Sequence, residues 1–144
     1  MLRVCIRLLF YSILVKLSLE DLKEKKIHDK YVWMIAGLAI ISVVIIPEIS
    51  LTDRLLGVFL ISIPMAMLAL AFPGSFGGGD IKLVAACGAF LGTELVLKGT
   101  IYGIFIGAVC SLRIVFFVKQ KKNLQFPFGP CLSAGFLMAS LRFF

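Results

Sequence analysis

Two aspartates lie at the ends of long apolar segments of this chain. Asp21 follows the first of these segments, and Asp80 follows the glycine run Gly77-Gly78-Gly79 and precedes another. A carboxylate at a membrane boundary is costly, so such a residue indicates a functional site. Two carboxylates within one site cannot both ionise freely, and the pair holds one proton. Such a pair hydrolyses peptide bonds, because the ionised member takes a proton from water while the protonated member polarises the scissile carbonyl.

The composition indicates an integral membrane protein. Of the 144 residues, 60% are hydrophobic, and the mean hydropathy is +1.05, whereas soluble domains are about half apolar. The length favours one membrane-embedded domain over residues 1–144. The net charge is +7, but the basic residues cluster in two short segments between apolar runs. We therefore expect a lipid bilayer as a partner and no nucleic acid.

Six segments are long and apolar enough to be candidate membrane spans of about 17 residues or more. Because their apolar runs do not alternate with polar residues, they are helices rather than strands of a membrane barrel. The predicted fold is an all-α, polytopic membrane helical bundle with about six transmembrane helices. The candidate spans cover residues 2–19, 31–47, 55–73, 81–97, 99–118 and 126–141.

The distribution of lysines predicts the orientation of these spans. Lysines fill the loops after the first and fifth spans, whereas the loops at 48–54 and 94–98 hold one Lys or Arg each. Basic loops lie on the cytoplasmic side. A multi-pass protein of the inner (cytoplasmic) membrane follows, with Asp21 and Asp80 both on the cytoplasmic side. The lysines of these two loops are Lys23, Lys25, Lys26 and Lys30, and Lys119, Lys121 and Lys122.

The glycines around Asp80 favour a substrate-binding loop. A backbone without Cβ atoms allows another chain to approach closely and adopts positive φ angles, so Gly77, Gly78 and Gly79 suit an extended substrate and a mobile Asp80. Lys82 either lowers the pKa of Asp80 or contacts lipid phosphate. Two structural interpretations stay open, since Asp80 is also suited to be the N-cap of the fourth span and Asp21 to be a solvated loop charge.

Two further features have structural interpretations. Gly99, Gly103 and Gly107 recur every four residues, which predicts a helix face for close packing. The four cysteines form no CxxC pair, and His28 is the only histidine. We therefore expect no metal site and no cofactor.

These residues leave two classes of function open. One is an intramembrane aspartic protease, which needs Asp21 and Asp80 together. The other is a non-enzymatic transporter or assembly component in which Asp80 is an ion or proton site at a broken helix. A transporter needs a polar pathway, and the middles of the second, third and sixth spans are almost free of ionisable groups.

Three segments together resemble the type IV prepilin peptidase family, in particular its short members. Asp21-Leu22-Lys23 through Ile27-His28-Asp29 is similar to the family's first catalytic segment. Gly77-Gly78-Gly79-Asp80-Ile81-Lys82-Leu83 resembles its GxGD segment, and Phe126-Pro127-Phe128-Gly129-Pro130 resembles the segment that opens its last helix. His28 and Asp29 depart from the family's usual Pro and Asn.

The resemblance implies a specific activity. Family members cleave the basic leader of pilin-like precursors at the cytoplasmic membrane face, after a glycine, so a prepilin-like protein is the implied substrate. Asp21 and Asp80 would be the catalytic pair, and Gly77 and Gly79 the GxGD glycines. Because no segment with paired CxxC motifs is present, we expect cleavage without N-methylation. A basic leader is expected to contact the acidic residues of the first loop, Glu20, Glu24 and Asp29.

Overall fold

Six α-helices form a bundle in the computed structural model, which describes residues 1–117 and 126–143. This confirms the predicted all-α fold with six helices, and the described residues contain no strand. Two helices, α3 and α5, are each long and apolar enough to cross a membrane. The second lysine cluster, at residues 119–122, lies outside the described residues. The helices are α1 (Leu2–Glu24), α2 (Asp29–Ile45), α3 (Leu51–Ala71), α4 (Gly78–Leu91), α5 (Thr93–Phe117) and α6 (Gly129–Phe143).

Helix α1 continues beyond its predicted end and includes Asp21. It ends at Lys25, whose backbone is left-handed (φ 53°) and whose N–H donates to the carbonyl oxygen of Asp21 at 2.8 Å. Asp21 is only 4% exposed. The interpretation of Asp21 as a solvated loop charge is therefore wrong, because the last turn of α1 turns its side chain into the bundle.

The glycine run does not form the predicted flexible loop. Gly77 is the N-cap of α4, and Gly78 and Gly79 lie in its first turn. The peptide N–H of Asp80 donates to the carbonyl oxygen of Gly77 at 3.1 Å. Asp80 is thus not the N-cap of the fourth span, as one interpretation held, but a residue of the first helical turn.

The boundary between α4 and α5 also differs from the prediction. The chain turns at Gly92, whose φ of 81° is left-handed, and α5 begins at Thr93. A side chain at Gly92 would collide with the carboxylate of Asp53, since a Cβ placed there lies 2.5 Å from its Oδ2. The predicted outer loop at 94–98 is therefore wrong, and these residues form the first turns of α5.

The loop between α2 and α3 is shorter than predicted, because the N-cap residue Ser50 starts α3 at Leu51. The hydroxyl of Ser50 accepts a hydrogen bond from the N–H of Asp53 at 3.1 Å, which is the usual way to satisfy a free donor at a helix N-terminus. Asp53 and Arg54, predicted to lie in the outer loop, are in the first turn of α3.

Arg54 joins three helices at this end of the bundle. Its guanidinium is buried and donates to the carbonyl oxygens of Ala89 at 3.0 Å and Ile46 at 3.1 Å, and to the hydroxyl of Ser42 at 2.7 Å. The last carbonyls of a helix have no partner within it and carry partial negative charge. Arg54 therefore satisfies the C-terminal ends of α2 and α4 together.

Small residues bring the helices close together, as the sequence predicted for α5. Gly99, Gly103 and Gly107 are buried. Phe136 of α6 occupies the space that a side chain at Gly99 would need, and Leu132 of α6 does the same at Gly103. The core beside this pair is apolar, and the rings of Phe10 and Phe90 stack at 4.3 Å within it. Tight packing fixes the start of α6 relative to the rest of the bundle.

Candidate active site

The ends of α1 and α4 bring Asp21 and Asp80 together, as the sequence predicted. Both side chains are buried, with 4% and 9% of their surfaces exposed. Their carboxylates are close enough for the charge of Asp21 to raise the pKa of Asp80. Two acidic residues far apart in the sequence thus share one site at one end of the bundle, outside the predicted spans.

Burial raises the pKa of both acids. Desolvation raises the pKa of Asp80 to about 6, with repulsion from Asp21 as the second cause, while the N–H of Gly77 opposes the shift. Desolvation also raises the pKa of Asp21, and the N–H of Gly129 opposes it. Because removal from water disfavours a charged carboxylate, the pair holds a proton at a higher pH than exposed aspartates do.

One oxygen of Asp21 is available for chemistry. Its Oδ2 is buried and has no hydrogen-bond partner among the described residues. A buried carboxylate oxygen normally has a partner, so an unpaired one in a site of this kind is a suitable acceptor for a proton.

Ile27 covers the site from the loop between α1 and α2. A Cβ placed on Gly79 would lie 2.9 Å from the Cβ of Ile27, and a Cβ placed on Gly129 would lie 3.2 Å from its Cδ1. The same Cβ on Gly129 would lie 2.5 Å from Oδ2 of Asp21. Gly79 and Gly129 therefore leave the space that Ile27 and Asp21 occupy.

The three glycines that precede Asp80 have different structural roles. Gly77 supplies the N–H that faces the carboxylate of Asp80, and Gly79 makes room for Ile27. Gly78 has no atom within 4 Å of the position that a side chain would take. The physical requirement for glycine in the described structure is thus at Gly79 and not at Gly78.

Lys82 does not pair with Asp80. Its Nζ instead lies 3.1 Å from each carboxylate oxygen of Asp29, in an exposed ion pair that connects the starts of α4 and α2. The prediction that Lys82 lowers the pKa of Asp80 is therefore wrong. Nothing in the structure tests its contact with lipid phosphate.

The acidic residues of the first loop all have partners within the chain. Glu24 lies 2.5 Å from Nε2 of His28, and Glu20 accepts a hydrogen bond from the hydroxyl of Tyr31. Asp29 pairs with Lys82. Glu20, Glu24 and Asp29, which we call the acidic rim, thus lie in paired, at least partly exposed positions at the end of α1 and the start of α2.

Two features of the site were not predicted from the sequence. They are the position of Ile27 and the close approach of Gly129 to Asp21. Gly129 and Ile27 were each part of a recognised segment, and no pattern along the chain shows that they meet. Their contact depends on how α6 packs against α1, which only the folded bundle defines.

The chain resembles known proteins over most of its length. Residues 8–112 match the Type IV leader peptidase family. A prepilin leader peptidase/N-methyltransferase of Bacillus subtilis (strain 168) is 28% identical over 132 residues, which are 92% of this chain and 53% of that relative. Proteins of the same name from Burkholderia pseudomallei strains 1026b and K96243 are 37% identical over 59 residues, 41% of this chain and 19% of each relative. No solved structure matches the chain.

The matched region contains both aspartates and the glycine run, although the chain spans only about half the length of the Bacillus relative. Since the match to the family covers well over half of the chain, and the fold is a helical bundle with helices suited to a membrane, this membrane protein belongs to the Type IV leader peptidase family.

Proposed function

We propose that this chain is an intramembrane aspartic endopeptidase that cleaves the leader peptide of type IV prepilin-like precursors after a glycine. The observation that carries the proposal is the buried pair of Asp21 and Asp80, which the ends of α1 and α4 hold in one site. Membership of the Type IV leader peptidase family supports it, as do relatives named prepilin leader peptidase/N-methyltransferase.

The unequal environments of the two acids assign their roles. We assign the shared proton to Asp80, whose pKa is raised both by burial and by the charge of Asp21, and Asp80 donates this proton to the scissile carbonyl oxygen. Asp21 takes a proton from water through its unpaired Oδ2 as the water oxygen attacks the carbonyl carbon. The C–N bond of the tetrahedral intermediate then breaks as Asp21 gives its proton to the leaving amine, and the hydroxyl formed from the carbonyl oxygen returns its proton to Asp80.

Substrate must enter past the loop that covers the site. Both aspartates are buried, and Ile27 packs against Gly79 and Gly129 beside them, so we expect a peptide to reach the aspartates once this side chain moves aside. The acidic rim of Glu20, Glu24 and Asp29 is exposed at least in part and lies at the same end of the bundle as the aspartates. A basic leader binds there by exchanging the internal partners of these acids for its own lysines or arginines.

The proposed location of the site is the cytoplasmic face of the inner membrane, in a multi-pass protein. Lys23, Lys25, Lys26 and Lys30 lie at the same end of the bundle as the aspartates, in the last turn of α1, the following loop and the start of α2. Lysines next to membrane spans favour the cytoplasmic side. The opposite end, with Arg54, then faces away from the cytoplasm.

The apolar interior of the bundle argues against a transporter. The core that separates the aspartates from Arg54 is apolar and includes Leu83, Val84 and Phe90. The buried hydroxyl of Thr100 donates to a carbonyl oxygen of its own helix. An ion that entered at Asp80 would have no polar route through this part of the described structure.

Co-expression with a prepilin tests the proposal. We expect mass spectrometry to find the pilin cut after its leader glycine by the wild type, and uncut by Asp21→Ala and Asp80→Ala. Glu48→Ala is the control, since Glu48 is an exposed, ion-paired acidic residue at the opposite end of the bundle, and this variant should still cut. An uncut pilin with correctly inserted wild type, across a panel of leaders, would exclude prepilin processing. The mass of the product also shows whether its new N-terminus is methylated.

A further inference from the structure

A cavity of about 300 Å³ lies between α5 and α6, far from the two aspartates. Helix α6 begins beside Asp21 at Gly129, and Arg142 is near its other end. The helix from Gly129 to Arg142 is about 20 Å long at a rise of about 1.5 Å per residue. The cavity is therefore about that far from the aspartates. The proposed hydrolysis makes no use of it. Its lining residues are Leu95, Lys98, Tyr102, Ala139 and Arg142.

The lining separates into an apolar floor and a cationic rim. Leu95 and Ala139 are buried, each with 3% of its surface exposed, and form the floor. Lys98 and Arg142 are exposed at the rim. Lys98 donates to the carboxylate of Glu94 at 2.5 Å, whereas Arg142 makes no ion pair with any described residue. The rim therefore carries an excess positive charge.

This combination suits the phosphate of a phospholipid. A guanidinium presents paired donors that match phosphate oxygens, and an ammonium and a tyrosine hydroxyl add further donors. These donors are the groups that hold phosphate oxygens in proteins. A tyrosine such as Tyr102 is also favoured at the membrane–water interface, where its ring is apolar and its hydroxyl polar.

The surroundings favour a lipid over a soluble phosphate ester. Ile101, Met138 and Leu141 are each more than half exposed on the same two helices, so an acyl chain has an apolar surface beside the rim. A small soluble anion would use the rim alone and leave the apolar floor without a partner.

We propose that this cavity, the α5–α6 cavity, binds an anionic phospholipid, with the lipid phosphate held by Arg142 and Lys98 and assisted by Tyr102. The site lies on the helix pair whose glycine-mediated packing sets the start of α6. It goes beyond the proposed peptidase activity and does not depend on it.

Lipid titration of the purified full chain in a nonionic detergent tests the site. Native mass spectrometry would compare phosphatidylglycerol with phosphatidylcholine for the wild type and for K98Q/R142Q. We expect the double variant to bind phosphatidylglycerol about tenfold more weakly, because each basic residue contributes to attraction of an anionic lipid, and to bind phosphatidylcholine unchanged. K16Q/R113Q is the control, since it removes the same charge from exposed positions outside the cavity, and it should bind like the wild type.

Three results would overturn the proposal. The first is equal affinity of the wild type for the two lipids, and the second is an equal loss in K98Q/R142Q and in K16Q/R113Q. The third is competition by soluble glycerol phosphate as strong as that by phosphatidylglycerol, which would assign the rim to a free phosphate. If K98Q/R142Q does not fold, Arg142→Gln compared with Arg113→Gln decides the same question by a smaller loss.

Discussion

The carboxylate of Asp21 occupies the space that a side chain at Gly129 would need. A Cβ placed on Gly129 lies 2.5 Å from Oδ2 and 3.1 Å from Cγ of Asp21. The first residue of α6 and the last turn of α1 are therefore in direct contact at the site. Gly129 is necessary here because of what lies beside it, and not because of its backbone angles.

Gly129→Ala is expected to lower kcat/KM for prepilin cleavage by about 10- to 100-fold. The new methyl group must displace the carboxylate of Asp21, and a misplacement of about 1 Å costs up to this much in rate. Kinetics of the purified variant in detergent would measure the loss. Gly37→Ala is the control, because a side chain there meets no atom within 4 Å. Equal activity of Gly129→Ala and wild type would mean that cleavage does not depend on this placement of the Asp21 carboxylate.

Two neighbouring glycines are expected to respond differently to the same change. Gly79→Ala places a methyl group 2.9 Å from the Cβ of Ile27, whereas Gly78→Ala meets nothing within 4 Å. We expect Gly79→Ala to reduce cleavage about tenfold or more by moving the loop that covers the site, and Gly78→Ala to stay within about twofold of wild type. The same assay run in parallel measures both. Equal losses at the two positions would instead support a requirement for general flexibility of the glycine run.

The burial of Asp80 predicts a pH-dependent gain in stability for Asp80→Asn. The pKa of Asp80 is raised from 3.8 to about 6, so the folded state binds its proton more tightly than the unfolded state does. The free energy of unfolding of the wild type therefore falls as pH rises from about 4 to about 6. Asn carries no charge, so above pH 7 the variant should be more stable by about 2 to 3 kcal/mol.

Thermal unfolding in detergent at pH 4 and at pH 8 would measure this difference. We expect Tm of Asp80→Asn to exceed that of the wild type at pH 8 and to equal it near pH 4. Asp29→Asn, which changes an exposed aspartate at the same end, should show no such gain. A lower Tm for Asp80→Asn at pH 8 would indicate that the ionised carboxylate stabilises the fold.

Arg54→Met is expected to destabilise the bundle by about 3 kcal/mol. The variant fills much of the same volume but leaves buried carbonyl oxygens at the ends of α2 and α4 without a donor, and each unpaired buried group costs about 1 to 3 kcal/mol. The loss should appear as a lower Tm. Arg113→Met removes an exposed arginine of α5 and should have little effect. An unchanged Tm for Arg54→Met would show that water satisfies these carbonyls.

The sequence predicted the helices better than the connections between them. Long apolar runs define membrane helices almost by themselves, so all six helices were found, and the lysine pattern placed Asp21 and Asp80 at one end. The turn at Gly92 was missed because Leu95, Val96 and Leu97 resume the apolar pattern directly after it. Gly92 has a left-handed backbone, and Asp53 of α3 occupies the space that a side chain there would need.

Contacts between helices account for the other differences. Arg54 follows the cap residue Ser50 at the edge of an apolar run, which on its own is typical of a loop charge, yet the ends of two other helices surround it. Lys82 lies two residues after Asp80 along the chain but pairs with Asp29 from another helix. Local patterns do not encode such contacts between distant segments.

Asp21→Asn, Asp80→Asn and the double variant, compared in the same reconstituted cleavage assay, test whether the two aspartates form one catalytic pair. If the two carboxylates act as one unit, each single variant should lose as much kcat as the double variant does, while circular dichroism shows an intact helical fold. Independent, additive losses, or cleavage retained by either single variant, would contradict the claim that Asp21 and Asp80 form one catalytic pair.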